Sequence, residues 1–104
     1  MSFIHVVANI KAKAGKEKEL EGLLGRLVDE THKEPGCLLY ALHRSQSDGA
    51  FIFVEKWASA TDLQSHLQSA HIAAAMARKD ELIERLDIAP LAPLAHGLPT
   101  KNTF

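Results

Sequence analysis

The sequence predicts an α+β fold in which helices cover one face of a single antiparallel sheet. Two short segments rich in β-branched and aromatic residues are joined by a tight-turn signal, which is typical of a β-hairpin. Segments with a helical spacing of apolar residues stand before and after this hairpin. The chain has 104 residues, so we expect one domain, 1–104, that ends in a tail at 95–104.

The first strand and the first helix follow from their apolar patterns. Residues 3–11 are rich in β-branched side chains and precede a turn-prone Ala-Gly pair, which predicts a strand. The even-numbered side chains of this strand are apolar, whereas the odd-numbered set is mixed. Residues 16–33 predict an amphipathic helix, because apolar side chains recur at positions 20, 23, 24, 27 and 28. Pro35 and Gly36 end this helix.

The hairpin is formed by residues 37–46 and 51–57, the predicted second and third strands, with a Ser-Asp-Gly turn at 47–49. Large apolar side chains lie on both faces of the third strand, for example Phe53 on one and Val54 on the other. One helical layer covers only one face of a sheet, so the other face is expected to meet a second copy of the chain. The sequence therefore predicts a homodimer.

Two further helical segments follow the hairpin. Ser59 or Thr61 is suited to cap a short helix that includes His66, and Ser69 is suited to cap a second helix over residues 70–83. His66 and His71 would lie about 140° apart on one continuous helix. They converge only if the helix breaks between them, as the Ser69 cap suggests.

The last predicted strand covers residues 85–94. Pro90 and Pro93 cannot donate a backbone hydrogen bond, which favours a position at the edge of the sheet. The resulting order of elements, β-α-β-β-α-β, is the ferredoxin-like arrangement. This architecture hosts many unrelated activities, so it does not by itself predict a function.

Charge and composition exclude several kinds of partner. The chain has 12 Lys and Arg against 13 Asp and Glu, so it lacks the basic field that would hold a nucleic acid. The single Cys37 cannot form an internal disulfide. No apolar run approaches the roughly 20 residues needed to cross a bilayer, and the first residues lack the pattern of a signal peptide. We expect a cytoplasmic protein with no membrane or nucleic-acid partner.

Three motifs carry a family resemblance. The segments E-P-G-C-L-L-Y from position 34, F-V-E-K-W from 53 and H-L-Q-S-A-H from 66 resemble the antibiotic biosynthesis monooxygenase domain family, in the same order and at similar spacing. The resemblance covers nearly the whole chain. It implies a homodimer in the form of a dimeric α+β barrel, and an enzyme that oxidises quinols or anthrones with molecular oxygen while using no metal or flavin.

Such an enzyme must let its substrate supply the electrons, after deprotonation to an electron-rich anion. On this interpretation Asn9 and Trp57 have neutral N–H groups that could donate to the developing oxyanion, and His66 and His71 are the candidate bases. The predicted catalytic residues are Asn9, Trp57, His66 and His71, and the predicted substrate-binding residues are Tyr40, Phe53, Glu55 and Met76.

Structural roles are the alternative for these residues. Asn9 could serve a strand-end turn and Trp57 could belong to the core. The histidines could cap helices or pack at the interface, and Glu55 could form a cross-strand ion pair with Arg44.

The six histidines do not show the H-x-x-x-H or H-E-x-x-H spacing of common metal sites, so no metal is expected, and the family resemblance implies that no cofactor is used. Haem-degrading relatives pair a strand Asn with a Trp and a haem-ligating His. Here His66 and Met76 fall near the positions of that Trp and that His, so haem degradation is not expected. Two alternatives to oxygenation stay open: an isomerase that works by proton transfer, and a non-catalytic dimeric module that binds a small ligand.

Overall fold

The computed structural model describes residues 2–104 and contains one four-stranded antiparallel sheet with the strand order β2-β3-β1-β4. Helices lie on one face of this sheet, which confirms the predicted ferredoxin-like arrangement. The elements are β1 (Ile4–Ala12), α1 (Glu17–Thr31), β2 (Cys37–Arg44), β3 (Phe51–Trp57), α2 (Ala60–Leu67), α3 (Ala70–Met76), α4 (Lys79–Leu82), β4 (Ile83–Leu91) and a 3-10 turn, Pro99–Lys101.

The prediction of one continuous helix over residues 70–83 is wrong. The backbone leaves helical geometry at Arg78, and it is extended at Ile83, which pairs with Ala12 at the start of β4. Ile83 is buried as a residue of the sheet, although the helical spacing in the sequence had assigned it to the helix. The last strand accordingly begins earlier than predicted and ends at Leu91. Its predicted position at a sheet edge is confirmed, because β4 pairs only with β1 among the described strands.

The core lies between the sheet and the helices that cover one of its faces. The buried side chains of β1 are mainly its even-numbered ones and those of β3 its odd-numbered ones, while α1 contributes leucines at the predicted positions. Each fully buried Leu or Phe side chain stabilises the fold by roughly 1.5–3 kcal/mol relative to an exposed one. The largest apolar side chains that are fully buried are Val6, Leu20, Phe51, Phe53, Trp57 and Leu82.

No helix within the described residues covers the opposite face of the sheet. It carries apolar side chains from all four strands, among them Val7, Val54 and Ala89, which are neighbours in the strand register. The tail returns to one end of this face, where the Phe104 ring lies 4.7 Å from the His5 ring. An uncovered apolar face agrees with the reasoning behind the homodimer, which stays a prediction. No helix within residues 2–104 is long and apolar enough to cross a membrane.

Candidate active site

A cavity of about 320 Å³ lies between the helix-covered face of the sheet and the helices α1, α2 and α3. Its walls are mostly aliphatic and aromatic, and its polar lining side chains are Tyr40, Glu55 and His66. A cavity of this volume, with mostly apolar walls and a few polar side chains, is typical of a small-molecule site. A larger groove of about 670 Å³ runs along the edge strand β2, but it is an open surface feature whose lining includes Tyr40 and neither Glu55 nor His66. We therefore place the candidate site in the smaller cavity.

The cavity lining includes large apolar side chains that are partly exposed to solvent. Leu67 is 43% exposed, Met76 37% and Ile88 53%, although all three face the helix-covered side of the sheet. Exposed aliphatic side chains bordering an apolar cavity favour a ligand with a large apolar surface. The predicted substrate-binding residues Tyr40 and Met76 both lie in this lining.

Glu34 joins the two candidate bases. Its Oε2 lies 2.7 Å from Nδ1 of His66 and 2.7 Å from Nε2 of His71. An ionised carboxylate only accepts hydrogen bonds, so each of these nitrogens carries a proton. His66 is therefore the Nδ1–H tautomer, and its Nε2 retains a lone pair beside the cavity that the ring lines. The sequence motifs alone assign no role to Glu34.

Local sequence explains how three elements meet at Glu34. Gly36 passes so close to Asp62 in α2 that an added Cβ would overlap the Asp62 side chain, so glycine allows the Glu34 loop to approach α2. Ser59 caps α2 by accepting from the backbone N–H of Asp62. Ser69 caps α3 and also donates to the backbone carbonyl of His66. The predicted break at Ser69 is confirmed, and it lets His66 and His71 converge, with ring centroids 5.9 Å apart.

Burial sets the charge of the groups around the cavity. Burial lowers the pKa of His66, with the Glu34 carboxylate opposing the shift, so the imidazole is neutral near pH 7. Burial raises the pKa of Glu55 to about 7, with the hydrogen bond from Trp57 opposing it. Burial and the nearby Glu55 raise the pKa of Tyr40 well above its usual range, so the phenol stays protonated. The cavity thus combines a neutral base with two protonated donors at slightly acidic pH.

Trp57 contacts both Glu55 and His66. Its side chain is fully buried, and its indole N–H donates to Oε1 of Glu55 at 3.0 Å. The indole ring also packs on His66, with ring centroids 4.4 Å apart. The indole N–H is thus engaged with Glu55 rather than directed at a substrate. Glu55 does not pair with Arg44, whose guanidinium lies over the Phe51 ring instead.

The structure separates Asn9 from the cavity. Asn9 lies on the uncovered face of the sheet, and its Oδ1 accepts a hydrogen bond of 3.0 Å from Arg85. Within a single chain the structure therefore does not bring Asn9 and His66 to the same cavity, and a catalytic role of Asn9 stays a prediction. The physical reason is strand alternation, because Ala8 and Ile10 take the cavity side of β1. The odd-numbered side chains of β1 are of mixed polarity, and this was the signal in the sequence that Asn9 lies on the other face of the sheet.

The other predicted residues come together. Phe53, Glu55 and His66 line the cavity together with Tyr40 and Met76. His71 lies outside the lining and reaches His66 through Glu34. A Glu immediately before Pro-Gly, at the end of a helix, was the available hint for Glu34, but the sequence does not show which side chain it meets.

Comparison with known proteins places the chain among related structures. The structure resembles PA3566 from Pseudomonas aeruginosa, with a TM-score of 0.86, 29% identity, and coverage of 91% of this chain and 97% of that one. It also resembles Rv0793 from Mycobacterium tuberculosis, with a TM-score of 0.84, 28% identity, and coverage of 93% of this chain and 100% of that one.

Sequence comparison identifies two curated relatives. "Putative monooxygenase Rv0793" is 29% identical over 92 residues, which make up 88% of this chain and 91% of the relative. The uncharacterized protein sll1783 from Synechocystis is 28% identical over 83 residues, or 79% of this chain, and the match spans only 56% of that relative's length.

The family model described as antibiotic biosynthesis monooxygenase matches residues 3–78, which include α1, the hairpin, and the segment bearing Glu34, His66 and His71. This match extends over most of the chain and agrees with the fold of the structural relatives. The chain belongs to the antibiotic biosynthesis monooxygenase family.

Proposed function

We propose that this protein oxidises a small quinol, phenol or anthrone-like aromatic molecule with molecular oxygen, and that it needs no metal or flavin to do so. Family membership supports a general monooxygenase-like role. The observation that carries the finer proposal is the position of His66. Its Nδ1 is held by Glu34 at 2.7 Å, while its ring borders an apolar cavity of about 320 Å³.

His66 is the proposed general base. With Nδ1–H bonded to Glu34, Nε2 is the ring nitrogen that can take a phenolic proton from a molecule in the cavity. The Glu34 carboxylate then stabilises the imidazolium that forms, and it keeps the ring in the required tautomer and orientation. A positioned base of this kind contributes roughly 10²–10⁴-fold to a rate.

Tyr40 and Glu55 are the proposed donors to the substrate oxyanion. Both border the same cavity as His66. The Tyr40 phenol is a neutral donor, and Glu55 is a donor in its protonated form because burial raises its pKa to about 7. Donors in an apolar cavity stabilise a developing anion more strongly than donors in water do. The aromatic rings of Tyr40 and Phe53, stacked with centroids 4.5 Å apart, form the adjoining wall.

The proposed oxidation balances without a further reactant. The substrate anion transfers one electron to oxygen, and the resulting radical and superoxide combine into a peroxide on the substrate carbon. Loss of water from the protonated peroxide leaves a carbonyl. For a CH₂ or aromatic C–H centre, one oxygen atom ends in the product and the other in water. The protein's part is to remove the proton and stabilise the anion.

The assembly we propose for this enzyme is a homodimer. The uncovered face of the sheet presents Val7, Val54 and Ala89 side by side, and a single helical layer on the other face cannot cover them. A second copy of the chain would bury this surface and form the dimeric α+β barrel that the sequence predicts.

The experiment is oxygen uptake by chelator-treated protein with a panel of hydroquinones and anthrones, with absorbance of the product followed in parallel. We expect uptake above the uncatalysed rate in the wild type. We expect His66→Gln to lower kcat by at least about 100-fold, because it removes the base while keeping a side chain of similar size. The matched control is His96→Gln, an exposed histidine of the tail. Full kcat in His66→Gln, or an equal loss in His96→Gln, would overturn the role of His66.

The isomerase is a second candidate, because a neutral His66 and a Glu55 with a pKa near 7 in one cavity also suit proton transfer. An isomerase converts its substrate equally well under argon, whereas an oxygenase stops. A non-catalytic module binds the aromatic ligand saturably and releases it unchanged under both atmospheres.

A further inference from the structure

We propose that Glu34, His66 and His71 bind one divalent transition-metal ion such as Zn²⁺, and that this ion inhibits the reaction by replacing the hydrogen bond between Glu34 and His66. The inhibitory part rests on the function proposed above, whereas the binding part does not. The ion is a competing ligand of the site and takes no part in the oxidation.

The donor set has the chemistry of a metal site. The ligand atoms are Oε2 of Glu34, Nδ1 of His66 and Nε2 of His71, which all lie within 4.8 Å of one another. Two imidazoles and one carboxylate with a fourth, open position form a common zinc arrangement, with bonds of about 2.0–2.2 Å. The two distances of 2.7 Å to Oε2 are those of hydrogen bonds. An ion between the three groups requires side-chain rotations that separate these atoms slightly, without a change of fold.

The burial of the three ligand side chains and their access to solvent are also suitable for binding a metal ion. The side chain of His66 is 3% exposed, whereas those of Glu34 and His71 are 16% and 21% exposed. One ligand is therefore held in the interior, while the other two border solvent and leave room for a bound water. Glu30 and His71 line one surface hollow of about 180 Å³. This hollow gives an ion an approach from solvent to His71, and the Glu30 carboxylate beside it is paired with Lys33.

Metal binding would reverse the role of His66 at the cavity. Hydrogen-bonded to Glu34, the ring has its proton on Nδ1 and its lone pair on Nε2. An ion on Nδ1 takes that nitrogen's lone pair, so the single proton of the neutral ring moves to Nε2. Binding of the ion at Nε2 of His71 likewise displaces the proton from that nitrogen. At His66 the nitrogen that faces the substrate changes from a base to a hydrogen-bond donor.

The test is a titration of chelator-stripped wild-type protein with Co²⁺, followed by its visible absorption, and with Zn²⁺, followed by calorimetry. We expect one ion per chain and an intense tetrahedral Co²⁺ spectrum. We expect Glu34→Gln and His71→Gln to weaken binding by at least about 100-fold, while His96→Gln binds like the wild type. Circular dichroism verifies that each variant is folded. No binding to folded wild type at 1 mM metal, or equal weakening by His96→Gln, would overturn the site.

Oxygen uptake at saturating Zn²⁺ separates the two proposals. Loss of uptake in step with metal occupancy supports the inhibitory role, and uptake unaffected at full occupancy overturns it. If the wild type consumes no oxygen with any substrate while Co²⁺ binds as expected, the metal site stands and the proposed oxygenase function fails.

Discussion

Glu55 places a carboxyl group in the wall of an apolar cavity, where a charge is costly. The side chain is 5% exposed, and its identified partner is the indole N–H of Trp57. Burial accordingly raises its pKa from the ordinary 4.5 to about 7. A pKa so close to physiological pH is common for catalytic acids and bases, and this supports a role for Glu55 in binding the substrate oxyanion.

The raised pKa of Glu55 predicts a pH-dependent stability. Between about pH 4.5 and 7 the folded protein holds a proton on Glu55 that the unfolded chain has lost. The free energy of unfolding therefore falls as pH rises through this window, by about 3 kcal/mol from this group, and levels off above it. Glu55→Gln should lack this component, because glutamine keeps the acceptor for Trp57 but cannot ionise.

Urea unfolding at pH 4.5 and pH 7.5 measures this effect as the difference between Glu55→Gln and the wild type. The variant should gain stability relative to the wild type by about 3 kcal/mol from the lower to the higher pH. Glu21→Gln, on the exposed face of α1, is the control and should keep a constant difference. A constant difference for Glu55→Gln as well would show that this carboxyl is not buried as described.

At the scale of elements, the site depends on where the loop after α1 passes α2. Glu34 and His66 come from different elements, 32 residues apart, and meet because Gly36 lies against Asp62. The caps of α2 and α3 then determine the directions of His66 and His71. The helix break that Ser69 produces could be predicted, whereas the contact with Glu34 depends on packing that local patterns do not contain.

This close passage predicts opposite effects for two glycine substitutions. Gly36→Ala should destabilise the protein by about 1–3 kcal/mol, because its Cβ overlaps the Asp62 side chain and must push the loop away from α2. Gly25→Ala should stabilise by about 0.5–1 kcal/mol, because its Cβ meets no atom within 4 Å and alanine favours the helix. Thermal and urea unfolding compare the two. Equal stability of Gly36→Ala and the wild type would contradict the close passage.

At the scale of the whole molecule, the sheet has two faces of different character. Helices α1 to α3 and the cavity occupy one face, and the other is open apart from the returning tail. Asn9 lies on the open face, where its present partner is Arg85. Any role of Asn9 in a site would therefore require a second chain packed on that face.

The open face predicts that a charge at its centre prevents dimerisation. Val54 lies on the central strand β3 between Val7 and Ala41. Val54→Glu should convert the protein from a dimer, at twice the 11.4 kDa of the chain, to a monomer, because the carboxylate would lose its water in the interface. Light scattering at micromolar concentration measures this. Gln64→Glu, an exposed position on α2 with the same change of charge, should stay dimeric. A monomeric wild type would contradict the homodimer.

The sequence by itself determined the parts of this protein that depend on local periodicity and on short motifs. The apolar spacing of α1, the hairpin turn and the Ser69 cap each involve only a few neighbouring residues. These elements could therefore be predicted directly from the sequence. The same local reasoning, together with the motifs at 34–40, 53–57 and 66–71, was sufficient for the fold and the family.

The tertiary structure decided everything that depends on which surfaces meet. Ile83 joined the sheet because pairing with β1 outweighed its helical spacing, and Asn9 was placed away from the cavity by the orientation of β1. Glu34 joined His66 and His71 because three elements converge on one carboxylate. Desolvation then set the pKa values of His66 and Glu55. Packing and burial act between residues that are distant in sequence, so local patterns do not contain them.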